Sequence, residues 1–564
     1  MTALQQPRGF EAPAAALRAV DEVFNQSTPL ENVDLFSCDT ALCEAVKREG
    51  ADWALPMLRE VGALAGRPES IQWGREANAY PPVLRTHDPF GHRIDEVEFH
   101  PSWHRLMEVA VRHGMHALPW RNPRSGAHVA RLAAFYVWSQ VEAGHGCPIS
   151  MTYAAVPALR KQPELARNWE PLLTSLEYDF GLRPPESKRG ILCGMAMTER
   201  QGGSDVRANT TQAEPAGAPG PGREYLLTGH KWFCSAPMCD IFLVLAQAPR
   251  GLTCFLVPRI LPDGARNAFR IQRLKDKLGN RSNASSEIEL DRTWAVMVGA
   301  EGRGVPTIIE MVNCTRLDCV AGSASLMRHA LSQALHHAGC REAFGRLLLD
   351  QPLMRNVLAD LAIESEAACA AMARLAGAAD RAPHDEGEAH LKRLGTAISK
   401  YWVCKRAPSH VAEALECLGG NGYVEESVLP RLYREAPVNS IWEGSGNVAC
   451  LDALRAMSRD PDSVDALFDE IGKAKGANGD FDRAFSRLRL DLADLRDVET
   501  RARRLVERMA MALQGSLLIR YSDPAVADAF CSSRLAGAGG YAFGTLPAET
   551  DFGAILRRCL TPPA

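Results

Sequence analysis

The sequence predicts an α+β protein in which a β-domain is inserted between two helical regions and a further helical region follows. Three observations predict it. Residues 1–189 are rich in Ala, Leu, Glu and Arg, with apolar residues at helical spacing. Residues 190–302 break into short β-branched or aromatic runs separated by Gly, Pro, Asn and Asp. From residue 303 the helical period returns and persists. The division is therefore an N-terminal helical domain (1–189), a middle antiparallel β-domain (190–302), a C-terminal helical bundle (303–462) and an extra helical region (463–564). A chain of 564 residues is too long for one core, and about 150 residues per domain gives three or four.

In the first region ALCEAVKREG and SWHRLMEVAVRHGMHAL are amphipathic, the second placing Leu106, Val109, Ala110 and His113 on one side. Tyr80-Pro81-Pro82 marks a loop. His100, His104, His113 and His116 lack carboxylate or Cys partners at fixed spacing, so they read as surface or packing histidines rather than metal ligands. In the second region YLLTGHKWFCSA, DIFLVLAQA, LTCFLVP, FRIQRL and SSEIELD read as strands, with AEPAGAPGPGREY an exposed connection. In the third, three long Ala-rich stretches beginning at Thr315, Gln351 and Leu391 have the length of bundle helices.

Composition narrows the function classes. Hydrophobic content of 46% with 23% charged residues is that of a soluble globular protein. A net charge of −4 gives no overall attraction to nucleic acid or anionic membrane, so such binding needs a local patch. No apolar run approaches the roughly 18 residues that span a bilayer, and MTALQQPRGFEAPAAALRAV lacks the plan of a signal peptide. Sixteen scattered cysteines, with no C-x-x-C pair, read as free thiols in the cytoplasm.

Two stretches carry chemistry. Glu416–Asn447 joins a glycine-rich turn (Gly419, Gly420, Gly422) to a single carboxylate, Glu443, in Ile-Trp-Glu-Gly-Ser-Gly. Glycines let backbone approach a ligand, and a carboxylate against the apolar wall of Trp442 becomes a better proton acceptor. Taken alone the stretch also fits a helix C-cap and an ordinary loop. The second stretch runs from Ala196 to Asp205, whose small residues, hydroxyls and paired glycines suit a loop with N–H groups aimed at an electron-rich ligand. Trp232-Phe233-Cys234-Ser235 then supplies an aromatic platform and a hydroxyl.

Together these closely resemble the acyl-CoA dehydrogenase superfamily. One signature fits Ala196 through Asp205 to Ala208, and the other fits Glu416 through Gly419, Gly420, Gly422, Tyr423 and Glu426 to Arg431 and Glu435. Arg341-Glu342-Ala343-Phe344-Gly345 and Gln351 match the R-x-x-F-G…Q segment between them. The resemblance covers roughly residues 80–460. KDKLGNRSNASSEIEL, QPLMRNVLADL, EESVLPRLYRE and PVNSIWEGSGNVACLDALR are similar to its AidB type, flavoproteins of the bacterial adaptive response to alkylation that carry an extra C-terminal region.

The resemblance implies FAD held between the β-domain and the bundle, with Met197, Thr198, Gly203 and Ser204 facing it and Trp232, Phe233 and Ser235 along it. Trp442, Ser445 and Asn447 touch it again. Arg341, Phe344, Gln351, Glu416, Gly419 and Gly420 reach the FAD of a neighbouring subunit, which implies a homotetramer. Glu416 stands where many members carry Gln. Glu443 matches the catalytic base that removes the α-proton of an acyl-CoA thioester. In the isovaleryl branch the base lies before an Arg on the long helix, where this chain has Thr315 before Arg316.

The AidB type also implies binding of double-stranded DNA through the C-terminal region. That region holds two Lys and twelve Arg against fourteen Asp and Glu, but the arginines bunch. Arg455, Arg483, Arg487, Arg501, Arg504 and Arg508 are the expected phosphate contacts, against the alternative of a solvated face of i,i+4 ion pairs. The competing expectation is a metabolic acyl-CoA dehydrogenase without a DNA role.

Overall fold

The computed structural model describes residues 23–494 and 496–560. The first 22 residues, on which the signal-peptide reading falls, lie outside them.

The N-terminal region is helical, but it contains a hairpin that its helical periodicity does not announce. β1 (Val83–His87) and β2 (Arg93–Glu98) pair antiparallel around the turn at Asp88–Gly91. Asp88 closes that turn by accepting from the N–H groups of Phe90 and His92, both at 2.9 Å. The four expected packing histidines have separate partners: His100 caps a helix at Ser102 N, His104 meets the Tyr178 hydroxyl, and His113 and His116 bond carbonyls.

The middle region is a closed sheet built from β3 (Cys193–Ala196), β4 (Gln212–Pro215), β5 (Glu224–Ser235), β6 (Ile241–Ala248), β7 (Gly251–Pro258), β8 (Phe269–Leu274) and β9 (Ser285–Val298). β6, β7, β9, β5 and β4 form a ring, with β3 added on β6 and β8 on β9. Most pairings are antiparallel, as expected. β3 and β4, however, both run parallel to β6, at Cys193↔Ile241 and Gln212↔Gln247. The chain must cross over between β3 and β4 to achieve this, and the crossover is the Met197–Thr211 loop that carries the first signature.

Three helices of 37, 30 and 31 residues, Gly304–Cys340, Pro352–Arg381 and Glu386–Glu416, form the bundle. Pro352 at the first turn and Asp385 as N-cap of the third, accepting from Glu388 N at 3.1 Å, set the starts. The last region does not stand apart from the bundle. Leu467, Ile471, Phe481, Phe485, Val506, Met509 and Leu513 share one buried cluster with Leu391, Leu394, Ile398 and Tyr401 of the third helix. The chain end then folds back: Arg534 pairs with Glu364, Arg558 with Glu366 and Glu44, and Leu546 bonds Asn356.

Candidate active site

Glu443 lies in a turn between Val438–Ser440 and the helix Gly446–Arg459. Its φ is +56°, and that of Gly444 is +106°. A side chain at 444 would be strained and would press on Val448. The turn aims the Glu443 carboxylate inward. Oε2 is buried and has no hydrogen-bond partner among the described residues. Burial pushes this carboxyl up to about 7, against the opposing influence of Arg316, the Thr315 hydroxyl and Lys400. Thr315, which precedes Arg316 on the long helix, therefore faces the Glu443 carboxylate. Cys147, near the start of the helix Gly146–Leu159, lies among Asn283, Ser235 and Glu443, and burial pushes its thiol up to about 12. Nothing in the sequence marks Cys147 or Lys400 as site residues, because they come from two distant helices, and Arg316 stands out there only as the neighbour of Thr315.

The Met197–Thr211 loop is pinned from beneath. Glu199 and Lys231 form a fully buried ion pair of 2.7 Å, and Glu199 also accepts from Thr210 N at 2.7 Å and from the Thr211 hydroxyl at 2.6 Å. Burial alone would raise the Glu199 carboxyl, but these contacts, the Lys231 ammonium foremost, hold it well below its usual range. With Glu199 turned inward, the loop leaves Gly203, Ser204 and Asp205 exposed and Thr198 half-buried. A Cβ at Gly203 would collide with Thr198 Oγ1, whereas one at Gly202 would meet nothing, so Gly202 borders open space and Gly203 packs on Thr198. Trp232 N–H donates to the Thr198 carbonyl at 2.8 Å, which joins the platform to the loop. Lys275 Nζ covers one face of Trp232 at 4.0 Å, and Phe233 is 52% exposed.

The expected cofactor residues fall into two groups. Met197, Thr198, Gly203, Ser204, Trp232, Phe233 and Ser235 sit on the β-domain, and Trp442, Ser445 and Asn447 flank Glu443. Arg341, Phe344 and Gln351 instead cluster in a small hairpin at the far end of the first bundle helix, where Gln351 Nε2 donates to the Ala343 carbonyl at 2.9 Å. Arg341 is 26 residues beyond Thr315 on that helix, hence roughly 39 Å away at 1.5 Å per residue. Glu416, Gly419 and Gly420 belong with this second group. The segment after residue 24 ties them together: Arg341 donates to the Asn25 carbonyl at 2.7 Å and Asn421 to the Gln26 side chain at 3.0 Å. Phe344 is 99% exposed and Tyr423 80%.

Of the expected phosphate contacts, four face carboxylates: Arg455 with Asp452, Arg483 with Asp480, and Arg487 and Arg508 with Asp491. Arg501 bonds the carbonyls of Asp494 and Arg496. Arg504 is exposed and makes no ion pair among the described residues. Elsewhere at the surface His390, Asp460 and Asp462 come within 4.8 Å of one another, with His390 and Asp460 paired at 2.9 Å.

Comparison with known proteins follows the same division. The family described as adaptive response protein AidB N-terminal domain matches residues 25–180. Acyl-CoA dehydrogenase, middle domain, matches 194–293, and acyl-CoA dehydrogenase, C-terminal domain, matches 302–458. The chain is 48% identical over 520 residues to "Putative acyl-CoA dehydrogenase AidB" of Escherichia coli (strain K12), covering 92% of this chain and 95% of that relative. The crystal structure of Caenorhabditis elegans ACDH-11 in complex with C11-CoA superposes with a TM-score of 0.83 at 26% identity, covering 92% and 94%. An acyl-CoA dehydrogenase complexed with FAD from Bacillus anthracis, at 18% identity, shares the fold with a TM-score of 0.59 over 77% of each chain.

Proposed function

The chain belongs to the acyl-CoA dehydrogenase superfamily, in its AidB type, and from that premise we propose an FAD-dependent dehydrogenase of acyl-CoA thioesters with Glu443 as base. We further propose that it binds double-stranded DNA and protects or repairs it against alkylation. The observation that carries the first reading is Glu443 Oε2, a buried carboxylate oxygen with no partner among the described residues, set among Thr315, Arg316 and Lys400.

The residues present fit a flavin. Gly202 borders open space, Gly203 and Ser204 are exposed beside Thr198, Trp232 and Phe233 offer an aromatic wall, and Ser235 lies beside Cys147. FAD, when bound, supplies the acceptor for the hydride that leaves the substrate β-carbon. Glu443 takes the α-proton on Oε2. With its carboxyl pushed up to about 7, it is about half ionised at neutral pH and binds the proton more firmly than an exposed glutamate. Its burial excludes water from the oxygen that accepts the proton.

The second group of cofactor residues fits a neighbouring subunit, because its hairpin lies at the far end of the first bundle helix, roughly 39 Å along it from Thr315, which faces Glu443. Phe344 and Tyr423, large and exposed, are the surfaces a second copy covers, and a homotetramer is the assembly proposed. No helix among the described residues is long and apolar enough to cross a membrane. All sixteen cysteines are free thiols, which supports a cytoplasmic site of action.

Two exposed arginines support the DNA reading most directly. Arg504 makes no ion pair among the described residues, and the contact of Arg455 with Asp452 is long, at 3.7 Å. Anaerobic mixing of the protein with a panel of acyl-CoA thioesters tests the dehydrogenase. Bleaching of the flavin band near ~450 nm by one chain length supports it, and a colourless protein that cannot take up FAD defeats it. DNA affinity that falls steeply with salt tests the second reading.

A further inference from the structure

Lys400 is buried, 1% exposed, and makes no ion pair among the described residues. Its Nζ donates instead to backbone carbonyls, to Gly444 at close range and to Ser440 at 3.4 Å. An ammonium taken out of water without a carboxylate partner is costly, so a residue of this kind calls for an explanation. Arg316, also buried, makes the matching contact from the first bundle helix: Nε donates to the Glu443 carbonyl at 2.9 Å while Nη1 holds Asp452 at 2.6 Å. Asp452 is shared with Arg393 at 2.9 Å, which fixes Arg316 in place. The carbonyls of residues 440, 443 and 444 thus rest on two side-chain cations rather than on a helix ladder. Between them lies Glu443 in the left-handed region, a conformation that disfavours a non-glycine residue.

We propose that Arg316 and Lys400 are positioning residues for the base: they clamp the 440–444 turn so that Glu443 points inward, and Lys400 is the counter-charge of its ionised form. The role as a base rests on the function proposed above; the clamp and the counter-charge do not. The other groups facing Glu443 are Thr315 and the thiols of Cys147 and Cys319, both raised by burial and hence neutral, with Asp452 and Arg393 behind Arg316. Of the two cations Arg316 has the larger influence on the Glu443 carboxyl, but it is committed to Asp452 and the 443 carbonyl, whereas Lys400, held against the adjoining Gly444 carbonyl, has no carboxylate of its own among the described residues.

The test compares Lys400→Gln, which still donates to carbonyls without charge, Lys400→Met, which does neither, and Arg316→Lys. Two readouts are taken on the FAD-bound protein. One is the pH dependence of flavin bleaching by the best thioester. The other needs no turnover: the pH at which the stability difference between each protein and its Glu443→Gln counterpart changes reports the Glu443 titration directly. Lys400→Gln is expected to move both midpoints up by about one unit, a tenfold change in the ionisation equilibrium. Lys400→Met and Arg316→Lys are expected to lose tenfold or more of the plateau rate while KM for the thioester and FAD content stay unchanged. Unmoved midpoints and unchanged plateau rates overturn the clamp. A wild type that never bleaches, with a stability midpoint that still moves in Lys400→Gln, removes the dehydrogenase reading and leaves the counter-charge standing.

Discussion

Nε of Arg503, on the helix Val498–Tyr521, donates to Oδ1 of Asn447 at 2.8 Å, four residues beyond Glu443. The C-terminal region therefore reaches the wall of the proposed flavin site. If Asn447 touches the cofactor, Arg503→Ala frees its side chain. The expected outcome is FAD affinity reduced several-fold, the loss of about one hydrogen bond, with little change in thermal stability because Arg503 is exposed. Titration of the apoprotein with FAD, followed by flavin fluorescence, measures it. Unchanged affinity removes Asn447 from the cofactor set.

Glu443→Gln is expected to keep FAD and abolish bleaching by thioesters. In the wild type, bleaching should rise with pH through about 7, where the carboxyl ionises. Stability runs the opposite way. A carboxyl raised in the folded state keeps its contribution below the ordinary carboxylate range and loses it as pH climbs through about 7. The variant, which carries no charge there, should therefore gain in Tm relative to wild type between pH 5 and pH 8. Retained turnover would refute the assignment of the base.

The helix–sheet–helix plan is legible in the sequence because its periods are long and differ in kind. Glu443 and the Thr198–Ser204 loop are legible too, since their residues are contiguous. What stays concealed is whatever depends on meeting across the fold. Lys400 and Arg316 each read as one cation on an amphipathic helix, and only the folded bundle brings both onto one turn. Glu199 shows the same limit: it stands inside a signature yet points away from the open space, into Lys231. The β1–β2 hairpin escapes the sequence reading, because its short strands hide among helices. The parallel pairing on β6 is not readable, since strand direction depends on the crossover.

The attachment of the C-terminal region makes a second stability test. Arg374 reaches Glu388 at 2.8 Å and Glu470 at 3.0 Å with both forks, and Glu470 also receives Arg520 and Lys473. Removing Arg374 leaves Glu470, 2% exposed by side chain, with part of its charge uncompensated. Arg374→Ala is expected to cost about 3 kcal/mol in urea unfolding at pH 7 and to admit protease near residue 460. Burial would raise the Glu470 carboxyl, but its cations, Arg374 foremost, hold it well below the usual range. This contribution therefore persists down to acid pH and fades only there. A variant as stable as wild type would mean that the shared hydrophobic cluster alone docks the region.

That cluster also decides how DNA binding must be located. Deleting 463–564 exposes Leu391, Leu394 and Ile398 of the third bundle helix, so weaker binding after truncation would not separate a missing DNA face from a damaged fold. Charge reversal at the surface does separate them. Arg455→Glu with Arg504→Glu replaces no buried group, and the fold and FAD content should be kept. If these residues meet phosphates, affinity for duplex DNA should fall at least tenfold. The slope of log affinity against log salt should shrink by about 0.9 for each phosphate no longer neutralised. Arg483→Gln with Arg487→Gln should matter less, because each already answers a carboxylate in its own helix. Equal affinity in the double reversal would move the DNA face away from this region and favour a purely metabolic dehydrogenase.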